Sequence, residues 1–349
     1  MKLRLPFSSK KTHIGLAIDD QGIRYSELVL GTDGIRMEQM GIIQVDNGLI
    51  ESGKIVKQEE LELQLALAKK DLRMRKKKAV LAVPSSFVVI RKLTLPKLSP
   101  NEVRPILEIE LETTVHLPFS RPYFDYIKLR EILPNKTNSQ LAEFGEAEAE
   151  PMDEYLIIAA PGDVIDQYVR MMKLVDVTVT AVEIEPLALY RLLEGSGSVI
   201  PTDFMFMQLG LHSVNVSIFQ GEIPEFLRNI PIDITNYVVG VDTKEWRAED
   251  FYHHLNASGM YDSFANDLLR ELDRVINFYQ FSMKNDGTRI KQIYITGEFP
   301  TMERFLPHIN NRLSGIETLL FPTHHIACKD SQVDNLQAFT VAAGLSLRG

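Results

Sequence analysis

One pattern occurs twice in this chain. Residues 15–28, GLAIDDQGIRYSEL, place a polar turn between two apolar runs, and Gly22 supplies the backbone freedom that such a hairpin turn needs. Residues 203–232, DFMFMQLGLHSVNVSIFQGEIPEFLRNIPI, repeat the shape with turns at Gly210 and Gly221. A hairpin-led unit present twice is an internal pseudo-repeat, and it restricts the fold more than any other feature. Strand–hairpin–helix units in two similar halves predict an α/β architecture of two lobes. Ligands in such folds sit where strand ends and turns face each other across a cleft.

Between the hairpins the period changes. KQEELELQLALAKKDLRMR sets Leu61, Leu65, Leu67 and Leu72 near a helical repeat and predicts a surface helix. It ends in a basic cluster, Lys69, Lys70, Arg73, Arg75, Lys76, Lys77 and Lys78, where cations complement the helix dipole. The alternative is a patch for an acidic partner or a lipid headgroup. KAVLAVPSSFVVIRKLTLP predicts a buried strand, a Pro-Ser-Ser turn and a second strand. Ser99 before Pro100, with Glu102 at the capping-box spacing, starts a helix. LPFSRPYFDYIKLREIL and YLIIAAP predict strands, and the polar, acidic residues around 135–155 a loop. After the second hairpin, DLLRELDRVINFYQFSM carries a wide apolar helical face. IKQIYITGEFP predicts a strand ending in a glycine turn, and AFTVAAGLSLRG a short apolar helix or strand.

Composition removes several classes of function. The net charge of -9 gives no positive field to recruit a phosphate backbone, so nucleic acid is not the expected partner. The single cysteine, Cys328, excludes an internal disulfide or a multi-cysteine zinc site and reads as an idle thiol. His253-His254 and His324-His325 are adjacent pairs whose side chains diverge, so no metal site is expected. Ser213 lacks the G-x-S-x-G frame of a nucleophile elbow. The start, MKLRLPFSSKKTH, has no apolar core of a signal peptide. No run reaches the ~20 apolar residues of a membrane span.

Several segments, taken in order, resemble the PilM family of type IV pilus assembly proteins, the FtsA-like branch of the actin-like ATPases. They are KKAVLAVPSSFVVIRKLTLP, EIELETTVHLPFSRPYFDYIKL, ELDRVINFYQF, IYITGEFPTMERFLPHI and FTVAAGLSLRG. The resemblance runs from about Thr12 to Gly349. It implies an actin-like (ribonuclease H-like) fold of two lobes with an inserted subdomain of the FtsA type. The implied partition is a flexible leader 1–11, subdomain 1A over 12–79 and 161–200, and subdomain 1C over 80–160. Subdomain 2A would take 201–232 and 289–349, and 2B would take 233–288.

The resemblance also implies a nucleotide site, and here the residues depart from it. The family's first hairpin resembles GIDIGSSS; its aspartate position is Ala17 here and its glycine position Asp19, followed by Asp20, Gln21 and Gly22. The second hairpin carries Gln208 where the family has aspartate, with Gly210 retained, and the adenosine turn reads Gly297-Glu298 in place of Gly-Gly. Ala17 and Gln208 remove anionic handles for Mg²⁺. Asp19 and Asp20 add charge where a triphosphate would arrive; like charges 4 Å apart repel by about 1 kcal/mol in water and about 4 at an effective dielectric near 20. The expectation is a degenerate site in which ATP hydrolysis is lost or very weak, ATP and Mg²⁺ remaining the ligand pair if it is not degenerate. Glu271 and Arg274 either face that site or form a simple i, i+3 ion pair.

By the same resemblance, the chain is a cytoplasmic scaffold at the inner face of the cell membrane. It docks the N-terminal cytoplasmic tail of a bitopic PilN-like protein in a groove. Leu95, Leu117 and Phe119 are the candidate contacts there, ordinary core being their other reading. The alternatives are a working ATPase whose nucleotide state gates assembly and an FtsA-like filament former; self-association is the second partner reading beside the PilN-like protein.

Overall fold

The computed structural model describes residues 13–31, 34–69, 76–133, 151–238, 240–243, 245–284, 286–299, 302–328 and 335–348. The expected leader, Leu72, Lys70, Arg73, Arg75 and most of the acidic loop lie outside them.

The chain divides into two compact units, residues 87–165 and the remainder. In the larger unit, β1 (Ile14–Asp19), β2 (Gly22–Gly31) and β3 (Gly34–Gln44) form an antiparallel meander. A two-stranded ribbon, β4 (Ile50–Glu51) and β5 (Lys54–Ile55), and helix α1 (Gln58–Ala68) lead to β6 (Lys78–Val83), parallel to β1. Leu61 and Leu65, four residues apart, make the inner face of α1, whereas Leu67 is 71% exposed and does not belong to it. Lys69 and Lys77 of the basic cluster pair with Asp176 and Glu27.

The smaller unit holds β7 (Val89–Pro96), α2 (Pro100–Thr113), β8 (Pro122–Ile132) and β9 (Met152–Pro161), with sheet order β7-β9-β8. The capping box at Ser99 and Glu102 forms as read: the Ser99 amide donates to Glu102 Oε2 at 3.0 Å. Val103, Leu107 and Leu111 of α2 pack with Leu95, Tyr155 and Ile157 into this unit's own core. Its compact boundary at residue 87 lies beyond the expected 80, because β6 is an interior strand of the larger unit's sheet.

The chain continues with α3 (Gly162–Leu174), β10 (Thr178–Ile184), α4 (Glu185–Gly195), β11 (Asp203–Leu209), β12 (Val214–Gln220) and β13 (Ile223–Ile230). Then come α5 (Ala248–Ala257), α6 (Tyr261–Asn277) with a π-helical extension through Lys284, β14 (Gln292–Gly297) and α7 (Phe305–Arg312). Last are β15 (Glu317–Leu320), β16 (Ile326–Cys328) and α8 (Thr340–Ser346). The two larger sheets run β10-β6-β1-β2-β3-β16 and β13-β12-β11-β14-β15. Each is a meander whose first strand takes two further parallel strands on its other side, so the hairpin repeat seen in the sequence is a repeat of topology.

In residues 233–288, expected as a separate subdomain, buried side chains of α5 and α6 pack on the second sheet. Phe251, Leu255, Phe264, Leu268 and Leu272 share one apolar cluster with Met205, Met207, Val216 and Ile293 of the sheet. A second cluster joins the two sheets: Ala17, Val80 and Ala82 meet Phe204, Phe206, Phe219 and Tyr294, with α4 and α8 covering them. Helix α8 comes very close to its neighbours. A Cβ on Gly15 would stand 1.8 Å from the Ala342 carbonyl oxygen, and one on Gly344 would stand 1.9 Å from that of Ala188.

Candidate functional site

The carboxyl ends of β1, β11 and β14 converge on a cavity of about 80 Å³. Its walls include Ala17, Asp19 and Asp20, Gln208 and Gly210, Gly297 and Glu298, and Glu185 at the start of α4. This is the place where open α/β sheets present ligands to strand ends.

The charges at this site are organised by a residue outside the expected set. Arg24, on β2 and 8% exposed, pairs closely through Nε with Asp19 Oδ2. Its Nη2 lies 3.6 Å from Glu298 Oε2, and its guanidinium lies over the Phe339 ring at 5.4 Å. Burial opposes the charge on Arg24, and Asp19 and Glu298 more than offset it, so its pKa rises. Asp19 also accepts the Gln21 amide at 2.9 Å. Asp19 is therefore not the free negative charge that the sequence suggested, since its counterion comes from the same hairpin. Glu298 is less well served. Its Oε2 is buried and finds no close hydrogen-bond partner among the described residues, and burial, then the neighbouring Asp19, pushes its pKa well up.

Asp20 is 5% exposed and takes a long hydrogen bond, 3.4 Å, from the Gly53 amide. Burial raises its pKa to about 6, with His212 opposing and Asp19 adding to the rise. His212 is held by Asp233 at 3.1 Å. Glu185 Oε2 accepts both the amide and the hydroxyl of Ser85, at 2.9 and 2.7 Å, and burial still raises its pKa. The Gln208 Oε1 atom is buried and has no hydrogen-bond partner among the described residues.

The glycines of the site are fixed by packing. Gly297 has φ +127°, and a Cβ there would stand 2.3 Å from the Leu209 carbonyl oxygen. The Gly210 amide closes a tight turn on the Ser213 carbonyl at 3.1 Å.

Among the expected site residues, Ala17, Asp19, Asp20, Gln208, Gly210, Gly297 and Glu298 line the cavity. Gln21 and Gly22 do not: Gln21 reaches the segment before α5, and Gly22 pairs with Gln44 on β3. Glu271 and Arg274 form an ion pair with each other on α6, with Arg274 two-thirds exposed and neither side chain in the cavity wall. The i, i+3 spacing accounts for both of them. Leu95 is 5% exposed in the core of the smaller unit, which is its other reading, while Leu117 and Phe119 are half-buried. Sequence reasoning missed Arg24, Ser85 and Glu185. Only Arg24 left a trace, as a lone cation within an otherwise strand-like run.

The residues present do not fit a magnesium triphosphate. The cavity is several times smaller than the roughly 300–1,000 Å³ of ordinary ligand pockets. Asp20, Glu185 and Glu298 wall it with acceptors, and Arg24, the buried cation at its edge, is already engaged.

A family model described as Type IV pilus assembly protein PilM matches residues 15–230. No curated protein matches the sequence. Among solved structures, a chain of the PilM-PilN type IV pilus biogenesis complex is similar, with TM-score 0.72 and 19% identity. That match covers 97% of this chain and 99% of the other. The ethanolamine utilization protein EutJ from Carboxydothermus hydrogenoformans gives TM-score 0.48 at 10% identity, over 98% of this chain and 91% of the other. The fold is the two-lobed actin-like one, and the chain belongs to the type IV pilus assembly protein PilM family.

Proposed function

We propose that this chain is a scaffold of a type IV pilus machine or a related secretion or competence system. It docks the cytoplasmic N-terminal tail of a PilN-like membrane partner and does not hydrolyse ATP. The observation that carries the reading is the match to the PilM family model over residues 15–230, joined to whole-length similarity to a chain of a PilM-PilN complex. The small carboxylate-walled cavity supports the second half, because a triphosphate would have to displace Arg24 from Asp19 and approach Asp20 and Glu298. No described helix is long and apolar enough to cross a membrane, so a position at the inner face would come through the partner. Leu117 and Phe119 are the proposed contact residues, since both keep accessible surface.

The test is fluorescence anisotropy of a labelled synthetic peptide of the partner's cytoplasmic tail. Saturable binding that weakens at least tenfold in Leu117→Glu or Phe119→Glu is expected. Absence of binding to the full-length protein would refute the docking reading. Calorimetric titration with Mg-ATP is expected to give no micromolar binding.

A further inference from the structure

A set of hydrogen bonds joins the first lobe to the segment that leads into α5. The Gln21 side-chain amide uses both ends: Nε2 donates to the Trp246 carbonyl at 3.3 Å, and Oε1 accepts the Ala248 amide at 3.0 Å. Asn47 Nδ2 donates to the carbonyls of Thr243 and Trp246 at 2.6 and 2.8 Å. Gln21 Nε2 also donates to Asn47 Oδ1 at 3.4 Å, so the two amides brace each other. Arg247 returns a hydrogen bond to the Val45 carbonyl at 3.3 Å.

These contacts have a particular character. Ala248 opens α5, and its amide is one of the groups that a helix cannot satisfy internally. A residue 227 positions away in the other lobe meets it. Gln21 stands at the tip of the first hairpin, beside Asp19 and Asp20 in the cavity wall. The described residues between the 3₁₀ turn Ile234–Tyr237 and α5 form no regular structure. The apolar cluster that joins the two sheets ties the lobes together independently, with no contribution from residues 240–248.

We propose that Gln21 and Asn47 form a clasp that holds residues 243–248 against the first lobe and keeps the cleft shut over its carboxylate-lined cavity. Opening the cleft then means releasing this strap, with the apolar cluster between the sheets as the pivot. Individually modest side-chain hydrogen bonds suit such a device, because they can be broken together without disturbing either sheet. The inference does not depend on the docking reading.

The chain carries its own probe. Trp246 is the single tryptophan, packed against Phe251 and His254 with ring centroids 5.1 and 5.4 Å away. In the full-length protein carrying Gln21→Ala and Asn47→Ala, acrylamide quenching of Trp246 should rise about two- to threefold. Carbodiimide labelling of Asp20, Glu185 and Glu298, read by mass spectrometry, should rise with it. Gln21→Glu keeps an acceptor for the Ala248 amide and should quench closer to the parent protein. Unchanged quenching in the double variant would overturn the clasp. Greater quenching with the three carboxylates as protected as before would overturn its control of the cavity. If the double variant does not fold, Asn47→Ala alone, followed by hydrogen exchange at residues 243–248 against β11 and β12, gives the same decision.

Discussion

Replacing Asp20 with asparagine should stabilise the protein, and only at neutral and alkaline pH. The folded-state pKa of Asp20 is raised from 3.8 to about 6, mainly by burial. The folded protein therefore keeps this proton to about pH 6, whereas the unfolded chain loses it near pH 4. Protonation favours the fold fully below the unfolded value, and that contribution is lost as pH climbs through the folded one. A rise from 3.8 to about 6 corresponds to about 3 kcal/mol by which the ionised group disfavours the folded state at pH 8. The asparagine side chain would not ionise and could still accept the Gly53 amide bond. Urea unfolding of both proteins from pH 4 to pH 8 should show the variant ahead by roughly 1–3 kcal/mol at pH 8, the gap shrinking below about 1 near pH 4. A gap independent of pH, or a variant less stable at pH 8, would refute the argument that Asp20 is an ill-solvated carboxylate.

Arg24→Met should destabilise the larger unit by about 3–5 kcal/mol in urea melts, because Asp19 and Glu298 would lose their shared buried cation. A loss under about 1 kcal/mol would mean that the pairing is incidental. Gly297→Ala should cost roughly 2–4 kcal/mol in the same assay, from its positive φ and its approach to the Leu209 backbone. Arg274→Ala should shift stability by no more than about 0.5 kcal/mol and leave labelling of the cavity carboxylates unchanged, since its ion pair with Glu271 is exposed.

The parts of the fold that were legible in the sequence are those set by local pattern. Hairpin turns at Gly22 and Gly221, the Ser99–Glu102 capping box and the apolar face of α6 are all written within a few residues. The hairpin repeat carried further, because a repeated unit implies a repeated topology. The cavity wall was half legible. Positions at strand ends followed from the hairpins and the resemblance, so Asp20, Gln208 and Glu298 were placed where the structure has them. What those side chains touch was not legible. The partners of Asp19 lie within its own hairpin, but Arg24 also reaches Glu298, and Ser85 meets Glu185 a hundred positions away. No periodicity encodes a pairing across such separations. Gln21 was misplaced for a related reason: its position marks the turn, while its amide is drawn off by a helix end in the other lobe.

The seat of α8 bears on how the protein is made. Gly15 on the first strand and Gly344 near the end form close approaches to α8 and α4, the Ser346 hydroxyl takes the Leu28 amide, and β16 extends the first sheet beside β3. A ribosome delivers residues 14–44 before residues 326–346, so the part of the meander that α8 covers stays exposed until α8 has been made. The first sheet is thus closed by a segment made about three hundred residues after it begins, and truncations ahead of residue 340 should leave nascent chains that depend on chaperones for solubility.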